Sequence, residues 1–197
     1  VRQHADAVAA RSGRIDIAFN AVGMAHVQGV PLLDLTLDDY FHPVQAYTRT
    51  HFITAKAVAR HMAQQKSGVI LTLATPAGRM PGPGFLGHSV ACAGIEALTR
   101  HLAGELGAYG VRVVCIRSHA IPETVAKGSH AKQVFGEVAA RGGTTVDAML
   151  AGAASGTLLK RLPTLDQLAN TAVFLASEHA GAITGAIANL TCGMTLD

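Results

Sequence analysis

Short runs of consecutive apolar residues alternate along the chain with longer stretches in which apolar positions recur every three or four residues. The runs are Ile15–Asn20 (IDIAFN), VILTLA opening at Gly68, Val111–Arg117 (VRVVCIR) and Ile183–Thr191 (ITGAIANLT). Each predicts a strand, apolar on both faces, as in a sheet covered by helices on both sides. The stretches with helical spacing are Leu35–Gln65, His88–Gly107 and Thr164–Ser177. In the first, Pro43 is expected in the opening turn, where a missing N–H costs nothing. In the last, Thr164 is the expected N-cap. Val1–Arg11 reads as the end of an amphipathic helix, with Val1, Ala5, Val8 and Ala9 on one side. Residues 125–156 are rich in Gly, Ala and Ser and carry two weak helical patches. Strands alternating with helices predict βαβ units and a three-layer, doubly wound parallel α/β sheet. No repeat and no linker divides the chain, so residues 1–197 are expected to form one domain.

Composition narrows the function classes. The chain is 49% apolar and 15% charged, against roughly 25% charged for an average soluble domain; that balance excludes disorder. Sixteen Lys and Arg against thirteen Asp and Glu leave a net charge of +3. No stretch clusters cations with aromatics, so nucleic acid is not an expected partner. No apolar run reaches the roughly 18 residues of a membrane helix, and VRQHADAVAARSG lacks the apolar middle of a signal peptide. Cys92, Cys115 and Cys192 lie far apart, which suggests neither a disulfide framework nor a zinc site and fits a reducing, cytoplasmic compartment. None of the ten histidines is spaced HxH or HxxxH from another, and no metal site is expected. The chain opens on Val inside a helical pattern, and an upstream segment is expected to precede it.

Five segments, in order, resemble the short-chain dehydrogenase/reductase family. IDIAFNAVG stands where the family has a strand ending in an NNAG turn. SGVILTLATPAG matches its GxIVxxSSxAG strand, GIEALTRHLAGEL the helix after its active-site Tyr, GVRVVCIRSH its GIRVNAIxPG strand, and KRLPTLDQLANTAVFLASEHAGAITG its C-terminal pattern. The resemblance implies a Rossmann-type fold, here expected to lack its N-terminal strands, and hydride transfer between NAD or NADP and a hydroxyl or carbonyl. The family's TGxxxGxG phosphate loop does not occur in these residues. The resemblance also implies cofactor contacts at Asn20, Ala21 and Gly23, and at Ser118, Ile121 and Thr124 beyond the third strand, although Ser118 and His119 replace the family's Pro-Gly there.

The family's catalytic Asn, Ser, Tyr and Lys align with Tyr47, Thr75, His88 and Cys92. Thr75 keeps a hydroxyl that can hold a carbonyl. His88 can carry a proton, with an ordinary pKa of about 6.5. Cys92 cannot replace Lys, because a thiol is uncharged and cannot grip ribose hydroxyls. His88 and Cys92 are four apart on a helix and share a face. Three readings stay open for that face: packing that has lost its chemistry, an altered acid–base set, and a Cys–His nucleophile, for which no third orienting residue is visible. For the whole chain the expectation is an oxidoreductase of this family with impaired catalysis. The alternatives are an active reductase using Thr75 and His88, or a cofactor-free enzyme or structural subunit on the same fold.

Two further expectations follow from the family pattern. Residues 125–156 occupy the place of a flexible substrate lid. Ile95, Ala97, Leu98, Leu102, Ala103 and Leu106 are too many apolar positions for one helical stripe of roughly 100°. A second buried face is therefore expected, supplied by copies of the same chain, as a tetramer rather than a dimer.

Overall fold

A computed structural model describes residues 1–197. Its sheet has four parallel strands in the order β1 (Ile17–Asn20), β2 (Gly68–Ala74), β3 (Val111–Ser118) and β4 (Ile187–Leu190). The doubly wound α/β class is the one the alternating pattern predicts.

The pleat sorts the central strands into two cores. Ile70 and Val113 are register partners and face α1 (Arg2–Ser12), α2 (Leu37–Gln65) and α3 (Leu86–Leu106), packing with Ala55, Val58, Met62 and Ala103. Their neighbours Leu71 and Val114 face the opposite way, with Val69 and Ile116, onto Ala172 and Leu175 of α7 (Leu165–Ala176). Successive strand residues point to opposite faces, so unbroken apolar runs such as VILTLA fill both layers at once.

The elements differ from expectation where side chains compete with the ladder. β1 begins at Ile17, because Gln65 claims Ile15, accepting its N–H at 2.9 Å and donating to its carbonyl at 2.8 Å. β1 is also not apolar-buried on both faces: Ile17 and Phe19 are 52% and 39% exposed, since α7 covers β2 and β3 but does not reach them. The last strand is Ile187–Leu190 rather than Ile183–Thr191. Gly185 there is left-handed at φ +68°, and the Thr184 hydroxyl accepts from Val113 N–H, so regular pairing begins only beyond them. Pro43 lies not in the opening turn of α2 but seven residues in, where the N–H it lacks would have bonded the Asp39 carbonyl. It is buried at the crossing with α3. There Gly87 permits the contact, because a Cβ on it would stand 2.5 Å from the Tyr40 carbonyl oxygen and 3.1 Å from Pro43 Cγ. Residues 125–156 hold more helix than two weak patches: α4 (Glu123–Ala126) runs into the segment, followed by α5 (Ala131–Arg141) and α6 (Val146–Gly156). Thr164 caps α7 through a reciprocal bond with Gln167.

Candidate functional site

Parallel strands deliver their C-terminal ends to one edge, where ligands of such sheets bind. Thr75 follows β2 directly and starts a short 3₁₀ turn, its hydroxyl accepting from Ala77 N–H at 3.3 Å. α3 then presents His88 and Cys92, one turn apart. The Thr75 hydroxyl stands 3.1 Å from His88 Nε2 and 3.3 Å from Cys92 Sγ, and that sulfur is 3.7 Å from His88 Nε2. Tyr47 comes from α2 and is buried, its hydroxyl accepting from Met24 N–H at 3.4 Å. The ring is 6.4 Å from that of His88, centroid to centroid. The four aligned residues thus meet at one place.

Their environment is dry. Burial pushes the Cys92 thiol and the Tyr47 phenol above their ordinary pKa values. His88 is held down to about 3, first by burial and then by the nearby His26 and His130. His88 is only half-buried as a residue and lines a cavity. A raised thiol and a depressed imidazole are the reverse of the thiolate–imidazolium pair that a Cys–His nucleophile needs.

The cavity has a volume of about 390 Å³ and is mostly apolar, walled by Val22, Met80, Phe85, Ile95, Val134 and Phe135 among others. Next to its lining residues Gln28 and Phe85 two loops approach closely, Gly29 N–H donating to the Gly84 carbonyl at 2.7 Å. A Cβ on Gly84, itself at φ +81°, would stand 2.7 Å from Gly29 Cα. Residues 130, 131, 134 and 135 of the expected lid segment form one wall.

Two residues at the floor carry no family signature. His26 and Gln28, both buried in the loop after β1, continue the chain of polar contacts. His26 Nε2 is 3.1 Å from His88 Nδ1 and 2.8 Å from Gln28 Nε2, and His26 Nδ1 is 2.9 Å from the Met24 carbonyl oxygen. Arg141 of α5 donates to the Gln28 carbonyl at 2.6 Å, tying this loop to the wall opposite. His26 is 62 residues from its partner His88, and only the fold joins them.

The positions aligned with cofactor contacts are spread more widely. Ala21 and Gly23 line the cavity and are exposed, and Gly23 lies against the His130 ring. Asn20 is buried just behind them; its side-chain oxygen accepts from Val22 N–H, and its Nδ2 has no partner. Ser118 and Ile121 are buried and do not line the cavity, and the Thr124 hydroxyl is used locally, donating to the Ile121 carbonyl at 2.7 Å. His119, beside Ser118, does reach the cavity. Its Nδ1 accepts from Ala120 N–H at 2.6 Å, so Nε2 carries the proton of the neutral ring, and that buried donor has no partner.

A family model described as enoyl-(acyl carrier protein) reductase matches residues 1–195. The chain belongs to the short-chain dehydrogenase/reductase family. Among curated family members it is 30% identical over 184 residues to tropinone reductase-like 1 of Erythroxylum coca, an alignment that covers 91% of this chain and 62% of that protein. It is 30% identical over 201 residues to D-threitol dehydrogenase of Mycolicibacterium smegmatis, covering 100% of this chain and 69% of that one. The chain therefore spans less than two thirds of the first of these family members. The fold is that of sorbitol-6-phosphate 2-dehydrogenase from Erwinia amylovora, with a TM-score of 0.87 at 23% identity over 100% of this chain and 75% of the other.

Proposed function

We propose that this chain exchanges a hydride between NAD or NADP and the hydroxyl or carbonyl carbon of a compact, apolar substrate, with Thr75 and His88 as the acid–base pair. The observation that carries this reading is the 3.1 Å contact between the Thr75 hydroxyl and His88 Nε2 on the floor of an apolar cavity. A volume of about 390 Å³ lies at the small end of ligand pockets, roughly 300–1,000 Å³.

The residues at the strand ends suit a nicotinamide group. Asn20 Nδ2 and His119 Nε2 are buried donors without partners, and a buried donor left unpaired is costly until something accepts from it. A carboxamide oxygen or a ribose hydroxyl would accept from them. A bound nicotinamide supplies the hydride acceptor or donor. His88 Nε2 and the Thr75 hydroxyl hold the substrate oxygen and take or return its proton. The apolar wall excludes water, which strengthens both contacts. Cys92 offers no cation to the ribose or to the developing charge, so a slower reaction than the usual Tyr–Lys set supports is expected, and in that sense impaired catalysis.

Purified chain titrated with NADH and NADPH should quench or shift their fluorescence. Supplied with NAD⁺ or NADP⁺ and small cyclic secondary alcohols, it should form reduced dinucleotide slowly. Thr75→Val should lower kcat/KM by at least about tenfold, the worth of one hydrogen bond to the reacting oxygen, and Thr75→Ser should keep most of it. Equal rates for Thr75→Val and the parent would refute the assignment.

We further propose that the chain acts as a homo-oligomer, a tetramer rather than a dimer. None of the six α3 positions expected to need a partner surface is exposed, and Leu102, Ala103 and Leu106 pack into the chain's own core; exposed apolar side chains stand instead at Phe41, Phe52 and Ile53 of α2, Val90 of α3, and Val173 and Phe174 of α7. Apolar side chains on two separate helical surfaces suit two kinds of two-fold contact, each of roughly standard size, about 1,600 Å² in total. Light scattering at micromolar concentration should give four times the chain mass of 20.3 kDa, and Phe52→Glu should reduce it. A parent chain that scatters as a monomer would rule the assembly out.

A further inference from the structure

Three hydrogen bonds run from the cavity floor to a backbone carbonyl, and each fixes the next. The Met24 carbonyl can only accept, so the His26 Nδ1 standing 2.9 Å from it bears a proton. A neutral His26 then has its lone pair on Nε2. Gln28 Nε2 at 2.8 Å and His88 Nδ1 at 3.1 Å both face that lone pair, and both must donate. His88 therefore bears its own proton on Nδ1. Its Nε2 is left as an acceptor, 3.1 Å from the Thr75 hydroxyl and 3.7 Å from the Cys92 thiol, each of which can donate to it. The two rings lie 22° from parallel with centroids 4.9 Å apart.

We propose that His26 is a positioning residue that pairs with His88 as an imidazole dyad, presenting His88 Nε2 as a proton acceptor and sharing the proton it takes. This deepens the acid–base reading above and rests on it for the reaction, while the tautomer order rests on the contacts alone. In alcohol oxidation the substrate O–H bond breaks and an N–H bond forms at His88 Nε2. The hydride leaves the adjacent carbon for the nicotinamide ring, so the alcohol loses two electrons and the dinucleotide gains them. The added charge is shared across the Nδ1–H to Nε2 bond with His26, whose own Nδ1–H points at the Met24 carbonyl. When the ketone departs, the dyad gives the proton to water. Carbonyl reduction runs the same steps backward from the charged dyad. The route uses neither a Lys nor a ribose hydroxyl, and it makes sense of a site in which Cys92 has replaced the cation.

The dyad is ringed by titratable groups on every element packed around it. Tyr47 and His42 come from α2, Cys92 from α3, and His130 from the start of α5. None is a carboxylate, so the charged form has no anion to pair with, and burial keeps both rings neutral at rest. The two imidazoles should titrate as one unit rather than as separate residues.

The test uses the full chain with ¹⁵N-labelled histidine. Long-range proton–nitrogen spectra at neutral pH should show His26 and His88 both protonated on Nδ1. In His26→Gln the amide oxygen can still accept from His88, so the His88 tautomer should persist although the proton can no longer be shared. In His26→Phe it should shift toward Nε2–H. Both variants should lose about tenfold or more in kcat with little change in KM, and the kcat–pH profile should move, which a purely structural role for His26 would not produce. A parent His88 protonated on Nε2, or one whose tautomer ignores His26→Phe, would overturn the dyad even if the enzyme turns over. Expected tautomers in a chain that oxidises no alcohol would instead uphold the dyad and sink the proposed reaction.

Discussion

Glu96→Leu is expected to be the most destabilising single change in this chain, costing about 3–5 kcal/mol, because it leaves a fully buried guanidinium with only the partly exposed Asp197 as a carboxylate partner. Arg117 sits in β3 with its side chain 0% exposed, and the Glu96 side chain on α3 is 3% exposed. The guanidinium donates Nε–H to Glu96 Oε1 at 2.6 Å and a second N–H to Oε2 at 3.1 Å, a bidentate grip, while its remaining nitrogen reaches Asp197 at 2.5 Å. These carboxylates hold the Arg117 pKa above its ordinary value, Glu96 contributing most. The arginine therefore cannot escape by losing its proton. Arg117→Met should be less harmful, since Glu96 can protonate. The double variant Glu96→Leu, Arg117→Met should recover much of the loss, as isosteric apolar replacements of buried pairs often do. Thermal unfolding of the three variants measures this. A Glu96→Leu protein within 1 kcal/mol of the parent would mean that water reaches Arg117. Asp197 adds a smaller, pH-dependent part. Its pKa is lowered mainly by the bond to Arg117, so its contribution is present above the ordinary aspartate pKa and fades as the pH falls through the depressed one.

The second large effect concerns His88. His88→Ala should lower turnover by about 10²–10⁴-fold, the usual worth of a general acid–base group, while dinucleotide affinity changes little. The same imidazole should also govern acid stability. Its folded pKa of about 3 lies below the roughly 6.5 of an unfolded histidine. Between those values the unfolded chain binds a proton that the native chain does not. Stability should thus be whole above about pH 6.5 and decline as the pH falls toward 3, by roughly 3 kcal/mol from this residue. That figure is below what the full shift implies, because the cavity side of the ring meets water. His26, His51, His119 and His130 are depressed by burial in the same direction, which steepens the decline. His88→Gln should flatten the dependence of melting temperature on pH. An unchanged slope would refute the assignment of acid lability to His88.

What was legible in the sequence follows from how local each signal is. The two central strands are legible because apolar side chains dominate both of their faces, Arg112 and Arg117 being the charged exceptions, so the run shows up whichever face is read. The meeting of Thr75, His88 and Cys92 is also legible, since a strand end followed by a helix at fixed spacing dictates it. His26 is not, because it lies in an irregular loop without period, and its importance depends on a partner brought from α3 by the fold. Gln28 and the unpaired donor of His119 escape for the same reason. The misplaced start of β1 has a different origin: Gln65, at the end of α2, takes the backbone groups of Ile15, and no pattern within residues 15–20 records that.

The uncovered flank of β1 has a bearing on how this polypeptide behaves on the bench. Within residues 1–197 β1 pairs with β2 alone, so in this polypeptide its other edge has no partner strand, next to the exposed Ile17 and Phe19. Such an edge is a template for strands of other molecules. The local defence is thin: a single surface ion pair, Arg14 with Asp16 at 2.6 Å, stands at its entrance as a gatekeeper. Concentrating the chain therefore sets two kinds of association against each other. The helix-to-helix assembly proposed above would close on itself and reverse on dilution, whereas growth along β1 has no natural end and, once cross-β packing sets in, does not reverse.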